Sequence, residues 1–198
     1  LGDFYEMFFD DALEASKALG ITLTGRNCGM KERAPMCGVP HHSSETYIKK
    51  LIEKGYKVAI CEQVEDPKAA KGIVRRDVVR VITPGTITEE SMLNEKRNNY
   101  LMAVYSEGSC FGLAACDIST GDAHSAQITW GDTFSKLIDE IVKFNPVEIV
   151  LSGDAGEKLE NILRDKTGAY ISVKENEYFK LGANIDFVEG RLGKTKFK

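Results

Sequence analysis

Strand-length apolar runs alternate with amphipathic helical stretches along this chain of 198 residues, and the alternation lapses once, over a polar segment at 86–98. Strands alternating with helices require a sheet with a parallel portion, and a segment poor in core residues marks a boundary between domains. Beyond it, 100–105, 110–117 and 122–128 read as three strands joined by short turns. A helix is expected over 133–144, with Phe134, Leu137, Ile138, Ile141 and Val142 on one face. A strand at 147–151, a helix at 155–166 and a strand at 170–173 follow. An antiparallel meander therefore precedes a parallel portion.

The first half is less regular. Residues 3–9 alternate as a strand, and 10–19 form a helix with a loose stripe of Leu13, Ala15 and Leu19, stopped by Gly20. A short strand at 21–23 and a polar, glycine-rich loop at 25–35 come next. The apolar run 36–39 ends at Pro40, and Ser43 or Ser44 caps a helix running to Lys54. Residues 56–64 read as a buried strand, 65–73 as a loop, and 74–83 as a strand broken by Pro84 and Gly85. The expected division is a first domain over 1–85, a linker over 86–98 and a second domain over 99–198.

Composition narrows the function classes. Hydrophobic residues make up 42% and charged residues 28%, enough apolar surface to exclude disorder as the main state. No apolar run approaches the roughly 18–20 residues of a membrane span. The chain opens with Leu1 inside a patterned, acidic stretch, which reads as a piece of something longer without a signal peptide. Five cysteines, with no CxxC pair, argue for a reducing compartment. Residues 1–85 hold 13 Lys+Arg and 12 Asp+Glu, a net of +1; residues 86–198 hold 13 and 18, a net of −5. A strongly basic nucleic-acid-binding domain is excluded, so any such footprint is local.

Several motifs invite chemistry. Gly190, Gly193, Lys194 and Thr195 resemble the end of a phosphate loop, but Val188 stands where the motif needs glycine, so a polar tail is expected. Cys28, Cys37, His41, His42 and Cys61 are soft ligands without the paired spacing of a zinc site, and no metal is expected. Asp117 follows an apolar strand and leads Ile118-Ser119-Thr120-Gly121. It is a turn-forming aspartate or, with Asp139, Glu140 or Asp154, part of an Mg²⁺-dependent nuclease site of RNase H type. Arg75, Arg76 and Arg80, with Lys68 and Lys71, make the densest cationic cluster, which suits phosphate contacts or a solvated face. Four aromatics crowd Phe4-Tyr5-Glu6-Met7-Phe8-Phe9. Strand alternation puts Phe4, Glu6 and Phe8 on one face, and a glutamate between two phenylalanines breaks the binary pattern. Either this is an edge strand with one exposed face, or Phe4 and Glu6 are presented together to a partner.

At this stretch the chain resembles the MutS family of mismatch-recognition proteins. Gly2-Asp3-Phe4-Tyr5-Glu6-Met7-Phe8 carries the family's Phe-x-Glu signature. Ile21-Thr22-Leu23-Thr24, Pro35-Met36-Cys37-Gly38-Val39-Pro40, Val58-Ala59-Ile60-Cys61-Glu62-Gln63, Val79-Arg80-Val81-Ile82-Thr83-Pro84-Gly85-Thr86 and Asp117-Ile118-Ser119-Thr120-Gly121 follow in the family's order. The likeness is strong over 2–130 and weaker beyond. Cys37, His41 and Leu1 stand where relatives often differ.

The resemblance implies two small α/β domains: a mixed-sheet mismatch-recognition domain, truncated at its start, and an RNase H-like connector without nuclease activity. It implies no catalytic residue in this piece; ATP and Mg²⁺ belong to the ATPase part of a full-length parent, which acts as a homodimer. The implied partners are duplex DNA with a mismatch or a small insertion/deletion loop, and MutL at the connector. A bacterial cytoplasmic protein, nucleoid-associated when bound to DNA, is implied. Phe4 would wedge into the mispaired step from the minor groove and stack there. Glu6 would hydrogen-bond the displaced base, as acceptor or, protonated, as donor. Arg26 and Arg76 match backbone-contact regions. The alternatives are the Asp117 nuclease and a module for protein interaction alone.

Overall fold

A computed structural model describes residues 3–29, 32–65, 72 and 74–192. It separates into two units, Leu1–Glu95 and Lys96–Lys198, each α/β as the sequence pattern requires.

Unit 1 begins with β1 (Phe4–Phe8), which runs directly into α1 (Phe9–Leu19). The junction is sharp: Phe9 adopts φ +53°, a left-handed conformation uncommon for any residue but glycine. Strand β3 (Ala34–Pro40) is the centre of a three-stranded antiparallel sheet, with β1 on one side and β2 (Thr24–Arg26) on the other. The strand expected at 21–23 thus forms three residues later, where pairing with β3 is available. Ile21 instead packs from the preceding loop against Ala12, Ala15 and Cys37, the small core between α1 and β3. Ala12 rather than Leu13 faces inward, because small side chains let α1 approach the sheet.

Helix α2 (Ser44–Glu53) follows a 3-10 turn at 41–43. Neither serine caps it as expected: the Ser44 hydroxyl donates back to the His41 carbonyl at 2.8 Å, and Ser43 donates towards Pro40. Strands β4 (Val58–Gln63) and β5 (Arg76–Ile82) pair as a separate antiparallel ribbon with a bulge at Ile60/Cys61. The strand at 56–64, expected to be buried, is half-buried, on one face only. Ile60, Val58 and Ile82 pack with Ile48 and Ile52 of α2, while Val78, Val79 and Val81 point to solvent. The supposed linker contributes to this core, since Ile87 and Met92 are buried in it. Arg80 ties the same segment down, donating to the Glu89 carboxylate and to the Thr86 carbonyl at 3.1 Å.

Unit 2 is one five-stranded sheet in the order β10-β9-β6-β7-β8. Strands β6 (Tyr100–Glu107), β7 (Cys110–Asp117) and β8 (Asp122–Ile128) form the antiparallel meander. Strands β9 (Glu148–Ser152) and β10 (Tyr170–Lys174) add in parallel, reached through α3 (Thr133–Phe144) and α4 (Gly156–Thr167). Asp132 caps α3, its carboxylate accepting the Ser135 N–H at 3.1 Å. Leu137, Ile138 and Ile141 join one core with Met102, Val104, Ile149 and Leu163, whereas Val142, expected on the same face, is exposed. A last helix, α5 (Leu181–Leu192), has no counterpart in the sequence reading; Leu181 and Phe187 on it are exposed. No helix among the described residues is long and apolar enough to cross a membrane.

Candidate nucleic-acid interface

Strand pairing sorts the aromatic stretch into two faces. Inward, Met7 packs on the α1 core, and the Tyr5 hydroxyl donates to the Glu62 carboxylate on β4. That bond, partial burial and the carboxylate's charge push the Tyr5 phenol up to about 12. Tyr5 also stacks on His41, ring centroids 5.1 Å apart. Outward, β1 carries Phe4, Glu6 and Phe8. Phe4 is 56% exposed, a large aromatic at the start of a strand with its ring in solvent.

The register explains why these side chains have room. Glu6 lies opposite Gly38 of β3, and Phe4 opposite Pro40. A Cβ on Gly38 would sit 3.1 Å from the Tyr5 carbonyl oxygen, 3.7 Å from the Phe4 ring and 3.8 Å from Glu6 Cγ. Glycine at this point lets β3 pass close beneath both groups. Sequence reasoning missed Gly38 as part of the site; its signal was a glycine in the middle of an apolar run.

Arg26, at the end of β2, comes to the same place. Its Nη1 donates to Glu6 Oε2 at 2.9 Å, and its guanidinium carbon lies 6.0 Å from the centre of the Phe8 ring. The structure therefore brings together three of the four residues singled out from sequence. Arg76 stands apart, at the first position of β5 opposite Gln63, on the solvent face of the ribbon. Its neighbours in the cationic cluster have acidic partners: Arg75 pairs with Asp77 at 2.6 Å, and Arg80 with Glu89. The Arg80 bond holds the Glu89 carboxyl below its usual range. Lys68 and Lys71 lie outside the described residues, as do Leu1 and Gly2.

The other candidates resolve into structural roles. Asp117 is 1% exposed and occupied. Its Oδ1 accepts the Ser119 N–H at 3.0 Å and the Ser119 hydroxyl at 2.6 Å, and its Oδ2 accepts the Asn99 N–H at 2.8 Å. Burial works against its charge, but the Ser119 hydroxyl and these N–H groups outweigh it and hold the carboxyl below the ordinary carboxylate range. This is the geometry of a turn-forming aspartate. Asp139 and Glu140 stand on α3, and Asp154 in the 3-10 turn after β9. Cys37 is buried with its Sγ 3.5 Å from the Ala12 carbonyl oxygen, and burial pushes its thiol up. Cys61, expected in a buried strand, is exposed with Cys28. Among the described residues no three His, Cys, Asp or Glu side chains gather as a metal site. Gly190 lies in α5 rather than in a loop, and Gly193, Lys194 and Thr195 fall outside the described residues.

Comparison with known proteins matches both halves of the chain. The model of MutS domain I matches residues 1–91, and that of MutS domain II matches 99–195. The chain is similar to the DNA mismatch repair protein MutS of Ruminiclostridium cellulolyticum, 54% identical over 98% of the chain and 22% of the relative. It is 57% identical to that of Acetivibrio thermocellus, over 95% of the chain and 22% of the relative. With the Clostridium tetani protein it shares 49% identity over 97% of the chain and 21% of the relative. The chain thus spans about a fifth of the length of these curated relatives.

Proposed function

The chain belongs to the MutS family, with domains I and II in order, and on that premise we propose that unit 1 senses mispaired bases in duplex DNA through Phe4 and Glu6. The observation that carries the reading is Phe4: a phenyl ring 56% exposed, beside a carboxylate on the same strand face. Exposure of this kind is unfavourable in water and favourable between bases. An aromatic wedge entering from the minor groove unstacks one step at a cost of about a few kcal/mol and kinks the duplex. Its own stacking returns about 1–3 kcal/mol and tolerates any base. A mispaired step is already poorly stacked, so it opens at lower cost than a paired one. Discrimination then comes from deformability, not from a base code.

Glu6 complements the wedge. An intact duplex offers a carboxylate beside its phosphates no hydrogen-bond donor. A displaced base offers one. Glu6 therefore favours mismatched over matched DNA. Arg76 and, once clear of Glu6, Arg26 act on backbone phosphates, positioning the domain without reading sequence. The near-neutral charge of residues 1–85 keeps the sequence-independent term small, so that it does not swamp the mismatch signal.

Unit 2 serves as the connector of a longer, homodimeric parent, whose ATP and Mg²⁺ are bound outside this chain, and it offers a surface to MutL. Duplexes carrying a mismatch or a small insertion/deletion loop are the substrates. The test is competition binding of a G·T duplex and its matched counterpart at one fixed salt, for the wild type and Phe4→Ala. Loss of the preference with matched-duplex binding retained supports the wedge. An unchanged preference removes Phe4 from the role and favours a module for protein interaction.

A further inference from the structure

This inference rests on the sensor reading of β1 and concerns what Glu6 does before a mismatch arrives. The carboxylate is already engaged: Arg26 Nη1 holds Glu6 Oε2 at 2.9 Å, with the two side chains 53% and 28% exposed. The register makes this contact reproducible. Phe8 and Thr24 both face Met36 across the sheet, and Arg26 stands two residues beyond Thr24, on the same face. Its guanidinium extends past the Phe8 ring to reach Glu6. Two strands separated by the whole width of β3 are thereby linked through their side chains.

We propose that Arg26 is a specificity-determining gate on Glu6: it keeps the carboxylate on matched DNA and releases it, turning to a backbone phosphate, only when a displaced base supplies a donor. An intact duplex gives Glu6 nothing in exchange for Arg26, so the pair persists. It also neutralises the carboxylate against the nearby phosphates. A displaced base supplies a hydrogen-bond donor to Glu6, and the freed guanidinium finds in a phosphate an anion of matching geometry. Two new contacts then replace the one given up. An exposed ion pair shifts an equilibrium by only about 1.5- to 5-fold, so the gate is weak enough to open and strong enough to bias the choice.

A double-mutant cycle reads this directly, because coupling in binding equals the change in the Arg26–Glu6 interaction between free and bound states. Wild type, Arg26→Ala, Glu6→Gln and the double variant are titrated with a G·T duplex and with its matched duplex at one low salt concentration. The product of the wild-type and double-variant association constants is divided by the product of the two single-variant constants. The expected ratio falls below one by about 1.5- to 5-fold on the G·T duplex and stays near one on the matched duplex. A ratio near one on both, or the same departure on both, overturns the gate. Arg26→Lys retains the cation and keeps part of the departure, whereas damage to β2 alters both duplexes alike. Phe4→Ala run beside the cycle separates the two claims. If it erases the mismatch preference while the cycle is flat, the gate alone fails. If it leaves the preference unchanged, the sensor reading fails and the gate falls with it.

Discussion

Unit 2 is organised around one core and unit 1 around two small ones. Among the described residues, fifteen buried side chains, from the sheet, α3, α4 and the loop before β10, form a single cluster in unit 2. In unit 1 five gather beneath α2, and three, Ala12, Ala15 and Cys37, beneath α1. The candidate site lies on the sheet over the smallest of these clusters. Strand β1 devotes the face that carries Phe4 and Glu6 to solvent, so Tyr5 and Met7 anchor it. The difference separates apolar surface that serves stability from the surface that, in the proposed sensor, is kept available for binding.

Substitutions that break this contrast differ in size. Ile141→Ala removes a fully buried side chain from the large core and lowers the stability of unit 2 by about 2–5 kcal/mol, measured by denaturant titration. Hydrogen exchange sharpens the same point, with β1 amides expected to exchange faster than those of β6 and β9. Asp117→Ala costs about 1–3 kcal/mol, because the Asn99 and Ser119 groups lose their acceptor. The folded-state pKa of Asp117 is depressed, so its contribution is whole above about pH 4 and is lost as the pH falls through the lowered value. An acid titration of the wild type and the variant should therefore converge only at low pH. Tyr5→Phe has the smallest effect, about 0.5–1.5 kcal/mol at neutral pH. Here the folded pKa is raised, to about 12, so the contribution is complete below about pH 10 and fades between there and about 12. Stability curves for the wild type and Tyr5→Phe that stay parallel through this alkaline window contradict the Glu62 contact.

The same contrast decided what could be read from sequence. In unit 2 burial sets the pattern, and the meander strands and α3 stand where periodicity put them. In unit 1 local pattern competes with partners far along the chain. Thr24-Gly25-Arg26 has little strand character and becomes β2 only because β3 lies beside it. The apolar residues of 56–64 read as a buried strand, yet β4 pairs only with β5, and one face of the ribbon stays wet. Ile87 and Met92 are too isolated in sequence to signal a core, so 86–98 reads as a polar connector although both side chains are buried. The faces of β1 were legible from alternation alone, including the glutamate between two phenylalanines. The Arg26 contact was not, because it depends on the three-stranded order, with β3 between β1 and β2.

The central claim is that the Phe4 ring enters the base stack at a mismatch. A duplex carrying 2-aminopurine beside a mispaired base reports that event directly, since unstacking raises its fluorescence. The account predicts a rise when the wild-type chain binds, no rise with Phe4→Ala at equal saturation, and little change on the matched duplex. An equal rise with the wild type and Phe4→Ala would contradict it.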